Sequence, residues 1–157
     1  MRKYLILGLS FFVTVLDQGV KHLVRSGMEP GASFVVVPRF FNISYVQNTG
    51  AAWGIFQGFT PALVLFTFLL LVVMIRYRRH LLTDSLISYV AMALLIGGSV
   101  GNLIDRIRLN YVVDYLDFNF GGWSFPAFNI ADSAICIGVG LYMLSQIMAE
   151  KAAQAKS

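Results

Sequence analysis

The chain has 157 residues, of which 57% are hydrophobic and only 13% charged, with a mean hydropathy of +0.71. A soluble domain carries about a quarter of its residues as charges, so the composition excludes an ordinary soluble domain and points to a membrane protein. The length suits a single unit over residues 1–157. The net charge of +4 is not arranged as a basic stripe with interleaved aromatics, which sets aside a nucleic-acid partner.

Arg2-Lys3 and an apolar run from Tyr4 to Leu16 imitate a secretory signal. Asp17 and Lys21 follow where a small-x-small cleavage site would stand, so the segment reads as a retained first helix, about 4–22. A transmembrane helix needs about 20 mostly apolar residues, and three further stretches qualify, at about 59–76, 86–105 and 128–148. Pro61 to Ile75 is uniformly apolar and reads as lipid-facing, whereas the last two stretches carry small and polar residues suited to contact with protein.

Between the first two spans, residues 23–58 are too long for a simple connection. Phe34-Val35-Val36-Val37 and Phe40 to Val46 are rich in β-branched and aromatic residues, which predicts short strands. The loop at 106–127 holds Phe118, Phe120, Trp123 and Phe125 around Gly121-Gly122, which predicts an interfacial loop or short helix at the headgroup layer. Cys136, the only cysteine, lies in an apolar run and reads as a packed core residue.

Basic residues set the orientation. Arg2, Lys3, Arg76, Arg78, Arg79, Lys151 and Lys156 belong to both termini and the short link between the second and third spans, which places these segments in the cytoplasm. Only Asp84 and Glu150 of the acids share that side; Asp17, Glu29, Asp105, Asp114, Asp117 and Asp132 fall at or beyond the outer edge. Any chemistry is therefore expected on the outer face.

Asp114 and Asp132 are the centre of that chemistry. An ionisable group placed in hydrocarbon costs roughly 3 kcal/mol, so it is seldom there without a role. Two neighbouring carboxylates cannot both ionise easily; one holds a proton, and the pair can serve as base and acid together. Spacing alone leaves a second reading open, in which both simply cap helix ends or solvate the interface. No Gly-x-Ser-x-Gly elbow or phosphate-cradling loop is present, and His22 and His80 fall on opposite sides of the membrane.

Other polar residues are equally double-edged. Asp17 and Lys21 share a helix face and read either as part of a site or as a salt bridge easing a helix end out of the membrane. Gly97, Gly98 and Gly101 read as a close helix contact. Asn102 and Arg106 could orient the carboxylates, although Asp105 and Arg106 also fit an ordinary interface pair. Asn129, three residues before Asp132, lies on a similar face, and Asn48 could be a turn residue and nothing more.

Five segments together carry a family resemblance. Asp17-Gln18-Gly19-Val20-Lys21, Asn48-Thr49-Gly50-Ala51-Ala52-Trp53-Gly54, Gly101-Asn102-Leu103-Ile104-Asp105-Arg106, Val113-Asp114 and Phe128-Asn129-Ile130-Ala131-Asp132 resemble the bacterial lipoprotein signal peptidases (type II signal peptidases), in order and over nearly the whole chain. Trp53 stands where phenylalanine is the commoner choice.

The resemblance implies an all-α four-helix membrane bundle with a small extracytoplasmic β-rich platform. It implies an aspartyl endopeptidase that removes the signal peptide of a prolipoprotein on the N-terminal side of its diacylglyceryl-modified cysteine. Asp114 and Asp132 would then be catalytic. Asn48, Gly98, Asn102, Arg106, Asn129 and Ala131 would line or support the site, with Asp17 and Lys21 as supporting polar residues. No metal or cofactor is expected. The expected partners are lipid-modified prolipoproteins and membrane lipids. The expected setting is the bacterial inner membrane, with the protein a monomer, both termini cytoplasmic and the site at the outer leaflet. The rival readings are a small proton-coupled carrier and a non-catalytic assembly factor.

Overall fold

The computed structural model describes residues 2–51 and 55–155; Ala52, Trp53 and Gly54 of the second motif lie outside the described residues. Helix α1 spans Arg2–Gly27 and is followed by strands β1 (Ser33–Val37) and β2 (Phe41–Asn48). Helices α2 (Thr60–Arg76), α3 (Arg78–Leu81) and α4 (Leu86–Leu109) come next. The hairpin β3 (Val112–Phe120) and β4 (Trp123–Ser124) then leads into α5 (Ile130–Gln154).

Among the described residues, three helices are long and apolar enough to cross a membrane: α1, α4 and α5. The 26 residues of α1 extend about 39 Å at 1.5 Å per residue, against a hydrocarbon core of about 30 Å. Helix α2 is apolar but has 17 residues, and its outward face is exposed along most of its length. Pro61 in its first turn starts it without breaking a helical hydrogen bond.

Helix α4 is the centre of the bundle, packing against α1, α2 and α5. Its glycines make this possible. A Cβ on Gly97 would lie 2.8 Å from the Ser10 carbonyl oxygen of α1, and one on Gly98 would collide with the Ala131 carbonyl oxygen of α5. The close-contact reading of Gly97-Gly98-Ser99-Val100-Gly101 thus holds against two different helices, α1 and α5. At the far end of the bundle, Ile6, Met74, Met92 and Ala93 form an apolar core.

The four strands make one antiparallel sheet in the order β1-β2-β3-β4. Strands β1 and β2 occupy the segments expected to be extended. The 106–127 stretch, by contrast, is not a loop or short helix. It completes α4, turns at Asn110 in the left-handed conformation, and runs out as the β3–β4 hairpin. Gly121 and Gly122, at φ 59° and 108°, make the two-residue turn that pairs Phe120 with Trp123. Its aromatic side chains pack on one another: Phe118 stacks on Phe41 and Phe128, and Trp123 on Phe120. Cys136 is exposed on α5 rather than packed in the core, because that side of the helix faces away from α4.

Candidate active site

Three backbone features bring the two aspartates together. Strand β3 pairs with β2 so that Val46 faces Asp114 and Asn48 faces Val112, which puts Asn48 on the same side of the sheet as Asp114. Phe128 then bridges back to Leu116, exchanging backbone hydrogen bonds of 2.8 and 3.1 Å, so the chain enters α5 beside β3. Finally, Asn129 caps α5. Its side chain accepts from the Asp132 N–H at 2.9 Å, and Asp132 accepts from the Asn129 N–H at 3.2 Å, a reciprocal capping box. Asp132 therefore does take part in capping a helix, and from there its charge acts on Asp114.

Amide side chains surround the carboxylates. Asn129 Nδ2 donates to Asp114 Oδ1 at 2.6 Å and Asn48 Nδ2 donates to Asp114 Oδ2 at 2.9 Å. Asn102 Nδ2 donates to Asp132 Oδ1 at 2.7 Å. Asp114 and Asn129 are buried, whereas Asp132 is the more open member of the pair. Burial, and after it the charge of Asp132, push the Asp114 carboxyl up to about 7, against the hydrogen bonds from Asn48 and Asn129. A carboxyl poised there can hold a proton beside an ionised partner.

The remaining expected residues lie close by. Arg106 donates to the Gly50 carbonyl at 3.0 Å, and Gly50 N–H donates to Asn48 Oδ1 at 2.9 Å, so Arg106 braces the turn that carries Asn48. Its charge also acts on Asp132, Asp114 and Asp105. Gly98 and Ala131 are in direct contact, which lets α5 approach α4 closely enough for Asn102 to reach Asp132.

Asp17 and Lys21 do pair, at 2.9 Å, but they do not ease a helix end into water: both are buried. Asp105 and Arg106 are not an interface pair either. Asp105 accepts from Lys21 at 3.1 Å, from Gln18 at 2.9 Å and from the Val113 N–H at 3.1 Å. Asp105 and Gln18 are the two residues of this cluster missing from the expected set. The signal for Asp105 was its place three residues after Asn102 on one face of α4. Tyr115 adds another contact, its hydroxyl accepting from the Ile130 N–H at 3.2 Å, and burial pushes that hydroxyl's pKa up. Among the described residues, every buried side-chain nitrogen and oxygen has a partner, and no three His, Cys, Asp or Glu side chains gather as metal ligands would.

This architecture, apolar helices carrying a small sheet with two aspartates at their junction, is that of a helical membrane protein with a polar site at one end. A family model described as signal peptidase (SPase) II matches residues 9–148, and the chain belongs to that family of peptidases. Lipoprotein signal peptidases of Staphylococcus aureus, from strains bovine RF122 / ET3-1 and JH9, are each 39% identical over 137 residues, covering 87% of this chain and 84% of theirs. A bacterial membrane enzyme solved by the in meso method at 2.3 Å superposes with a TM-score of 0.82 at 37% identity, over 91% of this chain and 87% of that one. A second, at 1.9 Å, gives a TM-score of 0.78 at 38% identity, over 90% and 91%. Together with the three apolar helices, the family makes this a multi-pass protein of the inner membrane. None of these matches favours a carrier.

Proposed function

We propose that the protein is an aspartic endopeptidase in which Asp114 and Asp132 act as the catalytic pair. Its substrates are lipid-modified prolipoproteins, cut on the N-terminal side of the diacylglyceryl-modified cysteine. The observation that carries this reading is the interlocking of the two carboxylates through Asn129, which donates to Asp114 and shares a capping box with Asp132. In one step, a water held between them loses a proton to the ionised carboxylate as its oxygen bonds to the scissile carbonyl carbon, and the C–N bond then breaks. The protonated partner polarises the scissile carbonyl and later supplies the proton for the leaving amine. The pair titrates as a unit, so the two roles belong to the dyad and not to a named member. Asn48, Asn102 and Asn129 hold the oxygens in place and Arg106 braces the entrance. Gly98 and Ala131 allow the close approach of α5, while Asp17 and Lys21 support the site from beneath.

The same reading treats α2 as a fourth span, flanked by Phe59 and Tyr77, in one peptidase domain that works as a monomer among membrane lipids. Both termini and the Arg76-to-Arg79 link lie in the cytoplasm, and the sheet and dyad lie at the outer leaflet, where water reaches the bond while the substrate's acyl chains stay in the bilayer. The test is cleavage by the purified protein of a lipidated prolipoprotein and its unlipidated form side by side. Cleavage of the lipidated form before its cysteine is expected. Equal cleavage of both forms would remove the lipid from the recognition, and cleavage that survives Asp114→Asn would remove the dyad.

A further inference from the structure

Beneath the dyad lies a second pair of aspartates that the proposed chemistry leaves unused. Asp17 of α1 and Asp105 of α4 both bind the same ammonium, Lys21, at 2.9 and 3.1 Å. Each also accepts one main-chain N–H. Asp17 Oδ1 accepts from Ala131 at 2.9 Å, and Asp105 Oδ2 accepts from Val113 at 3.1 Å. Ala131 immediately precedes Asp132, and Val113 immediately precedes Asp114. Two buried carboxylates on one ammonium therefore hold the backbone just ahead of each catalytic aspartate.

The third Lys21 donor points the same way. It reaches Asn102 Oδ1 at 2.8 Å, and Asn102 Nδ2 reaches Asp132 Oδ1 at 2.7 Å. An ammonium has three donors and no acceptor, so the amide oxygen of Asn102 must face Lys21 and its NH2 must face Asp132. Lys21 thereby selects the amide orientation that the dyad needs. Asn129 Nδ2 donates to the same Asn102 oxygen at the longer distance of 3.3 Å, and Asp17 and Asp105 hold the ammonium in place through its remaining two donors.

We propose that Asp105 is a positioning residue for the dyad, setting Asp114 through the Val113 N–H and Asp132 through Lys21 and Asn102. This rests on the reading of Asp114 and Asp132 as catalytic. The competing account is an ion cluster that only holds α1 against α4, with Gln18 Nε2 on Asp105 Oδ1 at 2.9 Å as part of the same seam. The two accounts differ in what they do to turnover in folded protein.

The experiment measures kcat, KM and Tm on a lipidated prolipoprotein for the unmodified protein, Asp105→Asn, Asp105→Glu, Met92→Ala and Asp114→Asn. A misplacement of about 1 Å in a catalytic group costs on the order of 100-fold, so Asp105→Asn is expected to lower kcat by about 10- to 100-fold. KM should be unchanged, as for a loss confined to the transition state. Met92→Ala, in the apolar core at the opposite end of the bundle, should lower Tm and leave kcat unchanged. An Asp105→Asn protein that melts early yet turns over like Met92→Ala overturns the proposal. Where Asp105→Asn yields no folded protein, Asp105→Glu decides, since it keeps the charge against Lys21 but carries it one methylene further. A reduced kcat at unchanged KM supports the positioning role, and unmodified kcat overturns it. An active Asp114→Asn protein would sink the catalytic reading and the positioning role with it. An inactive Asp114→Asn beside a normal Asp105→Asn removes the positioning role alone.

Discussion

Asn129 donates its side-chain amide to Asp114 at 2.6 Å while its amide oxygen accepts the main-chain N–H of Asp132 at 2.9 Å. One side chain thus caps a helix and ties that helix to the neighbouring strand. The cap alone would be served by serine or aspartate. Reaching Asp114 as well requires a separate donating arm, the NH2 group, beside the capping oxygen.

That division predicts a split between two variants. Asn129→Ser keeps a capping oxygen but loses the longer NH2 arm that reaches Asp114; Asn129→Ala loses both. Both should lose at least about tenfold in cleavage rate, but only Asn129→Ala should also be less stable by the loss of a cap, about 1 kcal/mol. Thermal melts and rates on the same preparations check this. A fully active serine variant would show the amide to be a cap and nothing else.

Asp114→Asn and Asp132→Asn should each abolish cleavage with the protein still folded. The proposed step needs one carboxylate to take a proton and the other to give one, and an amide does neither. Each variant is to be assayed on lipidated prolipoprotein, with its melting curve recorded alongside. Full turnover in either would refute the dyad.

The pH dependence follows from Asp114, whose carboxyl is pushed up to about 7, mainly by burial. Its value in the unfolded chain is about 3.9, so the folded protein holds this proton more tightly. The associated stability is complete below about pH 4 and is lost as pH rises through about 7. Asp114→Asn lacks this dependence. Its Tm relative to the parent should therefore climb from about pH 4 to about pH 7 and level off above. Cleavage by the parent should decline above about pH 7 as the dyad gives up its last proton. A Tm difference that stays flat across this range would contradict the assignment.

Gly98→Ala should be costly. The added Cβ meets the Ala131 carbonyl oxygen and lies 2.9 Å from Ile135 Cγ1, so α5 must move away from α4 and carry Asp132 with it. Overpacking of this kind costs about 1–3 kcal/mol, and activity should drop with stability. Gly140→Ala on α5, with nothing within 4 Å of the new Cβ, should be neutral or stabilising by up to about 1 kcal/mol. Melting curves of the two variants settle the comparison, and a tolerated Gly98→Ala would show that the helix contact is looser than the geometry implies.

Much of this architecture is encoded within a few residues of where it is used. Apolar runs of helical length marked α1, α4 and α5, β-branched and aromatic runs marked β1 and β2, and Asn129 with Asp132 spelled out the α5 cap. Such features rest on local propensity, hydropathy and capping and are legible in short stretches of chain, and the ordered motifs single out the two aspartates proposed to be catalytic. The β3–β4 hairpin is harder to see, because the aromatics flanking Gly121-Gly122 suit a membrane anchor as well as a strand. Which polar groups face one another across the bundle, by contrast, is settled by packing between distant segments. Lys21 could be matched to Asp17 by helical spacing, but its other carboxylate, Asp105, and its amide partner, Asn102, lie on a different helix. Whether Cys136 points into the core or away depends on the same unknown, the rotation of each helix against its neighbour. That rotation is set by the close contacts at Gly97, Gly98 and Gly101, which sum over whole helix faces and leave no mark in any one stretch of chain.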